Sequence, residues 1–348
     1  MGQLAFGIDA GGDTVAICAV DPAGTITGEI CCDASPAVVI ENLTELGATQ
    51  QTIAGLEAGG CGVRLARKLR EAGFNVRVLE TRYVSGFLKL TQNKTDRNDA
   101  QGIAEIVRLG ARGVPDVMVK TEAMQMLRSE IVLRHRLMAQ RIALENALRG
   151  TFRLNGGKLG RLFSGTHLER SVEEELDRLR NEGTDLRVVI GPAAALLVEL
   201  RRTIERADRR LSHIAAELEA CGRFMTIPGV GSICSLSFYT AIENPHRFER
   251  ATDVGPYLGL VPRVSQSGHS FRSGRISRMG NTMTRTHLVT AAKSMMQQAD
   301  KDSEMRRWAM KLVERSGRGK ARVALARKLA TAMLSMWKSG EPFRRDLA

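Results

Sequence analysis

Four acids in the first third of this chain stand where carboxylates could work together. Asp9 closes the apolar run LAFGIDA, Glu57 closes TIAGLE, and Asp96 and Asp99 lie three apart in KTDRNDAQ. Residues three apart share one face of a helix. Two strand-end carboxylates and two from a neighbouring helix can therefore converge on a pair of hard cations. Magnesium takes oxygen ligands, and two ions roughly 4 Å apart stabilise both the attacking and the leaving oxygen of a phosphodiester. Each acid has a plainer use: Asp96 as an N-cap, Asp99 as a favourable first-turn charge, Asp9 in a turn, Glu57 on the surface. The ordered set Asp–Glu–Asp–Asp favours the metal site. GIDAGG also suits the phosphate turn of a sugar-kinase-like ATPase, but no second DxGG and no GxxxxGK[ST] loop follows, so nuclease chemistry is the better reading.

The elements that must position these acids are legible in outline. LAFGIDA, VAICAV and TITGEI read as three short strands joined by glycine-containing turns, an antiparallel meander. Ser35-Pro36 opens a helix ending near Gly47; QTIAGLEA is a strand, VRLARKLREAG a helix closed by Gly73, NVRVLE a strand and TDRNDAQGIAEIVRLG a helix. Three antiparallel strands followed by alternating helix and strand is an α/β order compatible with a ribonuclease-H-like sheet over residues 1–116. Residues 117–222 are helical in pattern. There Leu197, Leu200, Ile204, Ala207, Leu211, Ile214 and Leu218 form a heptad seam, which predicts a dimerising coiled coil, with an intramolecular helical hairpin as the alternative. Residues 223–348 are mainly α: RFMTIPGVGSICSLSFYTAI is a helix, a glycine turn aimed at a phosphate and a second helix. The stretch YLGLVPRVSQSGHSFRSGRISRMGN reads as loop-rich, and the helices that follow break near SGRGK.

Charge sorts the partners. The 348 residues carry a net +13, and the balance of Lys+Arg against Asp+Glu is 11 to 14 in residues 1–116, 18 to 15 in 117–222 and 22 to 9 in 223–348. So basic a last third attracts a polyanion, because each phosphate contact releases condensed counterions. Arg263, Arg272, Arg275 and Arg278 fall in its glycine-spaced stretch, suited to gripping phosphates bidentately. Arg128, Arg134, Arg136, Arg141, Arg149 and Arg153 recur at helical intervals in the middle third and could contact RNA. Aromatics are only 4% of the chain, so base-stacking surfaces are not evident, and no recognition-helix or zinc-finger spacing is present. The six cysteines show no CxxC pair, which favours buried thiols in a reducing cytoplasm. No apolar run reaches the roughly 20 residues of a membrane span, and the N-terminus lacks the pattern of a signal peptide.

The ordered carboxylates with KTDRNDAQ, TIPGVG (226–231), the run 257–281 and the closing ARVALARKLATAMLSMWKSGEPF (321–343) resemble the insertion sequence 110 family of transposases, with its 1111 subgroup and related invertases. The likeness covers nearly the whole chain and implies a RuvC-like N-terminal domain, a helical middle and a C-terminal transposase domain. It implies that a serine of an SG motif attacks DNA to form a covalent phosphoserine. It further implies magnesium on Asp9, Glu57, Asp96 and Asp99, an element-encoded guide (bridge) RNA that pairs with donor and target DNA, and homodimers assembling to tetramers. The SG motif here is Ser267-Gly268, with Ser265 as a rival. A hydroxyl needs a base or a metal for activation; His269 follows closely, but no acid is near it in sequence, so metal activation fits better. Two other readings compete: a Holliday-junction-type nuclease using water, and a non-catalytic nucleic-acid-binding assembly protein whose carboxylates are caps.

Overall fold

A computed structural model describes residues 3–89, 93–110, 113–159, 168–268, 270–298 and 303–344, which divide into two compact units, 1–120 and 121–348. The first is an α/β unit. Strands β1 (Ala5–Ala10), β2 (Thr14–Val20) and β3 (Ile26–Asp33) form the expected antiparallel meander. Helix α1 (Pro36–Glu45) leads to β4 (Ile53–Glu57), which pairs parallel with β1; α2 (Gly62–Glu71) leads to β5 (Asn75–Leu79), parallel to β4. The sheet order is β3-β2-β1-β4-β5. Helices α3 (Thr81–Leu88) and α4 (Asp96–Arg108) complete the unit.

Both faces of the sheet are covered, as parallel pairing requires. Phe6, Ile8, Ile17 and Leu56 pack against Val39 and Leu43 of α1 and Leu65 and Leu69 of α2. On the other face Ala5, Ala16 and Cys18 meet Ile103, Ala104 and Val107 of α4. Strand side chains alternate between faces, so β1 sends residues 5, 7 and 9 toward α4. Gly7 and Gly55 are strand glycines for a packing reason. A Cβ on Gly7 would lie 2.0 Å from the Ala100 carbonyl oxygen, and one on Gly55 would lie 2.4 Å from Val107. A bare backbone at these two positions lets α4 lie directly on the sheet.

The second unit is helical except for one hairpin. Its long antiparallel pair, α5 (Glu122–Leu154) and α7 (Arg187–Glu217), holds α6 (Leu168–Asn181) against one end. Three ion pairs lace α5 to α7: Arg134–Asp208 at 2.7 Å, Arg201–Glu145 at 2.8 Å and Arg210–Glu130 at 3.0 Å. Part of the heptad seam packs inside the chain. Leu197, Ile204 and Leu211 are buried, Leu197 with Leu148 and Phe152 of α5 and Leu211 with Ile131 of α5, while Leu200, Ala207, Ile214 and Leu218 are half-buried. Core packing between antiparallel helices and a coiled-coil seam have the same sequence period, and α5 and α7 form the helical hairpin named as the alternative. Two of the middle arginines are likewise engaged within the unit, Arg134 with Asp208 and Arg141 with Glu145 at 3.7 Å, whereas Arg136 and Arg153 are exposed.

A second core joins α8 (Glu219–Met225), α9 (Ser232–Ile242), the one-turn α10 (Val254–Tyr257), α11 (Thr282–Gln297) and α12 (Glu304–Ser339). The Pro-Gly-Val-Gly turn does not face outward toward a phosphate. Ile227, Pro228 and Val230 are buried, and a Cβ on Gly229 would meet the backbone of α11 at 2.7 Å. Helix α12 contains the expected break: Gly317, at φ 81° and ψ 156°, separates two helical segments. The region read as loop-rich holds β6 (Pro262–Ser267) and β7 (Ser270–Ile276), an antiparallel hairpin. Of the cysteines, Cys18, Cys221 and Cys234 are buried, while Cys31 and Cys61 are exposed; all six are free thiols. No helix among the described residues is long and apolar enough to cross a membrane.

Candidate active site

The register of the sheet brings the first two carboxylates side by side. Ile8 of β1 pairs with Leu56 of the parallel β4, so Asp9 and Glu57 follow as neighbours on strands about 4.8 Å apart. Both lie two residues beyond the glycines that face α4, and therefore on the α4 face. Helix α4 begins there. Gly7 touches Ala100 and Ala104, and one helical turn earlier come Asp96 and Asp99, opposite the strand ends. Thr95 caps α4 by accepting from the Asn98 N–H at 3.1 Å. The plain role suggested for Asp96, capping the helix, is therefore already filled.

The electrostatics agree with the geometry. Burial and the like charges of Asp99, Asp96 and Glu57, in that order, push the Asp9 carboxyl from 3.8 up to about 6, and Lys94 opposes the rise. The other three carboxylates thus all act on Asp9. Lys94, in the quoted KTDRNDAQ motif, was missed as a member of this site because a lysine before a helix cap reads as ordinary surface. Among the described residues no three carboxylate, imidazole or thiol groups are gathered closely enough to enclose an ion unaided. The four acids share a face without closing a cage. An open set of oxygen donors fits magnesium, which keeps several waters and combines one or two carboxylates with phosphate oxygens.

In the second unit, Ser267 ends β6 at the tip of the hairpin and pairs with Ser270; Gly268, at φ 55°, makes the tight turn. His269 lies outside the described residues. Directly opposed residues of an antiparallel pair point to the same face, so Ser265, its partner Arg272, Ser267 and Ser270 share one side of the ribbon. The strand β6 is exposed throughout, and among the described residues neither serine hydroxyl has a hydrogen-bond partner. The backbone places Ser265 and Ser267 on one face and does not choose between them. Arg272, Arg275 and Arg278 are exposed, while the Arg263 guanidinium donates to the Ser277 carbonyl at 3.1 Å and so helps to close the hairpin.

Hydrogen bonds fix the ribbon at its base. The Ser277 N–H donates to the Val261 carbonyl at 2.7 Å, and buried Arg285 of α11 donates to the Leu258 carbonyl at 2.9 Å and the Thr282 hydroxyl at 3.1 Å. Gly280, at φ 85°, sits where a Cβ would lie 2.1 Å from the Tyr257 carbonyl oxygen. The sequence held a signal for Gly280, in the MGN triplet before a helix, and none for Arg285.

Comparison with known proteins covers both units. A DEDD transposase model of the IS110 type matches residues 6–154, and the transposase model of the IS116/IS110/IS902 family matches residues 221–308. The chain is 29% identical to the transposase for insertion sequence element IS1111A of Coxiella burnetii, over 97% of this chain and 91% of that protein. It is 30% identical to the y4pF/y4sB protein of Sinorhizobium fredii, over 85% and 76%, and 26% identical to the transposase for element IS1328 of Yersinia enterocolitica, over 81% and 82%.

Proposed function

Because the chain belongs to the IS116/IS110/IS902 family of transposases, acting on DNA, we propose that it breaks and rejoins strands through a covalent phosphoserine at Ser267, with Asp9, Glu57, Asp96 and Asp99 as magnesium ligands. The observation that carries this reading is the placement of Asp9 beside Glu57 on the sheet face that meets the acidic first turn of α4. The strand order β3-β2-β1-β4-β5, with its antiparallel meander and two parallel additions, supports a RuvC-like, ribonuclease-H-like unit.

In the proposed reaction the Ser267 Oγ forms a bond to phosphorus and the bond from phosphorus to the departing strand's oxygen breaks. The serine proton leaves to solvent, and the departing oxygen gains one. The phosphodiester energy is retained in the serine ester, so a hydroxyl of a new strand reverses the step and reseals the DNA. Magnesium, when bound, neutralises phosphate charge and lowers the pKa of a hydroxyl. Arg272 shares the face of Ser267 and is placed to hold a backbone phosphate, with Arg263, Arg275 and Arg278 nearby in the same ribbon. Base pairing by a guide RNA supplies target choice. The strongly basic last third and the lack of a base-reading module support that division. Homodimers assembling to tetramers bring serine and carboxylates to one scissile phosphate.

The test is adduct trapping. Wild type with donor DNA and magnesium should give a detergent-stable protein–DNA adduct, Ser265→Ala should retain it and Ser267→Ala should lose it. Wild-type cleavage by Ser267→Ala with free DNA ends would instead establish a nuclease that uses water. Recombination by Asp9→Asn at wild-type level would establish a binding protein whose carboxylates are structural.

A further inference from the structure

Helix α12 brings together two residues that a straight helix would hold far apart. Trp308 and Lys328 are 20 positions apart, about 30 Å along an uninterrupted helix. The reversal at Gly317 instead sets the Lys328 ammonium 4.6 Å from the Trp308 ring centroid. Beside them opens a groove of about 440 Å³, within the roughly 300–1,000 Å³ typical of small-molecule sites. Pro256, Val261 and Ala324 give it apolar walls, and Arg250, Arg327 and Lys328 give it a cationic rim.

Neither Arg327 nor Lys328 has a carboxylate partner among the described residues, and Arg250 reaches Asp253 only at 3.7 Å on an exposed surface. Trp308 is 36% exposed, whereas the other tryptophan, Trp337, stacks on Tyr239 with centroids 4.8 Å apart and packs against the core. Asp253 also lines the groove, so three cations face one carboxylate there; an exposed indole, apolar walls and this cationic excess form the combination that seats a base and its phosphates. Val261 also immediately precedes β6, so the groove adjoins the base of the ribbon that carries Ser267.

We propose that this groove binds an unstacked deoxynucleotide of the DNA strand being processed, with the base against Trp308 and the flanking phosphates on Arg250, Arg327 and Lys328. The proposal rests on the reading of the chain as a DNA transposase and adds a site to it. No sequence pattern points to the groove, because 4% aromatic residues speak against stacking and because the meeting of Trp308 with Lys328 depends on the break at Gly317.

Tryptophan emission of the full chain in EDTA, where strand transfer is blocked, is titrated with single-stranded oligothymidylate, with its duplex with oligoadenylate, and with oligouridylate. Oligothymidylate should quench the emission, and in the variants, where the anisotropy of fluorescein-labelled oligothymidylate replaces the lost indole as reporter, Trp308→Ala should weaken its binding about 5- to 150-fold, the range expected from one stacked base. Trp308→Phe should retain most of the affinity, which separates stacking from loss of fold. Lys328→Ala should lower the slope of log affinity against log salt by about 1. Unchanged affinity in Trp308→Ala, equal binding of the duplex, or preference for oligouridylate would each overturn the proposal. Adduct formation at Ser267 is scored separately: Trp308-dependent binding without any adduct would sink the serine chemistry and leave the groove standing.

Discussion

Replacing Asp9 with Asn should stabilise the metal-free protein while abolishing strand cleavage. Burial and three neighbouring acids hold the Asp9 carboxyl at about 6 in the folded chain against 3.8 unfolded. The folded state therefore binds more protons than the unfolded state between these values, and stability falls as pH rises through that window. The contribution is fully present below pH 3.8 and lost above about 6. Such a difference corresponds to at most about 3 kcal/mol. The carboxyl is half-buried, and solvent screening reduces the figure to about 1 kcal/mol. Asparagine keeps the shape and removes the charge, so in EDTA at pH 8 Asp9→Asn should gain about 1 kcal/mol, or about 3–5 °C for a unit this size. At pH 5, where most of the wild-type carboxyl is protonated, the gain should shrink. Added magnesium should raise the wild-type midpoint by mass action and move the variant much less. Circular dichroism melts at the two pH values, with EDTA or magnesium, read all four quantities. A variant less stable than wild type in EDTA at pH 8, with an undiminished magnesium response, would refute the reasoning that links Asp9 to its acidic neighbours.

Gly7→Ala should cost about 3 kcal/mol in denaturant unfolding, because its Cβ would overlap the Ala100 carbonyl oxygen and the Ala104 nitrogen, 2.3 Å away. Gly86→Ala in α3, where nothing lies within 4 Å, should be neutral or stabilising by up to about 1 kcal/mol. Ile204→Ala should cost about 2–4 kcal/mol in denaturant unfolding, since its side chain is buried in the seam of α7. Arg285→Ala should leave the Leu258 carbonyl without its donor and make the ribbon a preferred site of limited proteolysis, with a stability loss of about 2 kcal/mol.

The first unit was legible because its elements carry conventional punctuation. Ser35-Pro36, Gly73 and the Thr95 cap mark helix ends, and the apolar runs alternate to two covered faces. The order of the four acids could be read from the chain. Their shared face could not, because it depends on the parallel register of Ile8 with Leu56 and on the two glycines that admit α4. The hairpin escaped because β6 is exposed throughout and the apolar–polar alternation of PRVSQS stops after Val264, too short a run to read as a strand. The seam of α7 was seen but its partner was not, since a three-and-four repeat says what a helix hides and not which helix hides it.

The contrast between the two candidate groups follows from what each must withstand. Burial first, and then the charges of Asp99, Asp96 and Glu57, raise the Asp9 carboxyl, a cost present before any cation arrives. Loop-borne acids would relax apart. Strand ends and a helix start, locked by backbone contact at Gly7, do not have that freedom. In the proposed reaction the serine faces the opposite demand, because its oxygen would travel as bonds to phosphorus form and break. A two-stranded ribbon is marginally stable alone, and this one is exposed along its length and tied down at Ser277 and by Arg285. Acids on packed elements and a hydroxyl on an exposed ribbon suit the rejoining reaction proposed above. In that reaction the acids would keep their positions through attack and resealing while the serine moved with the strand it held.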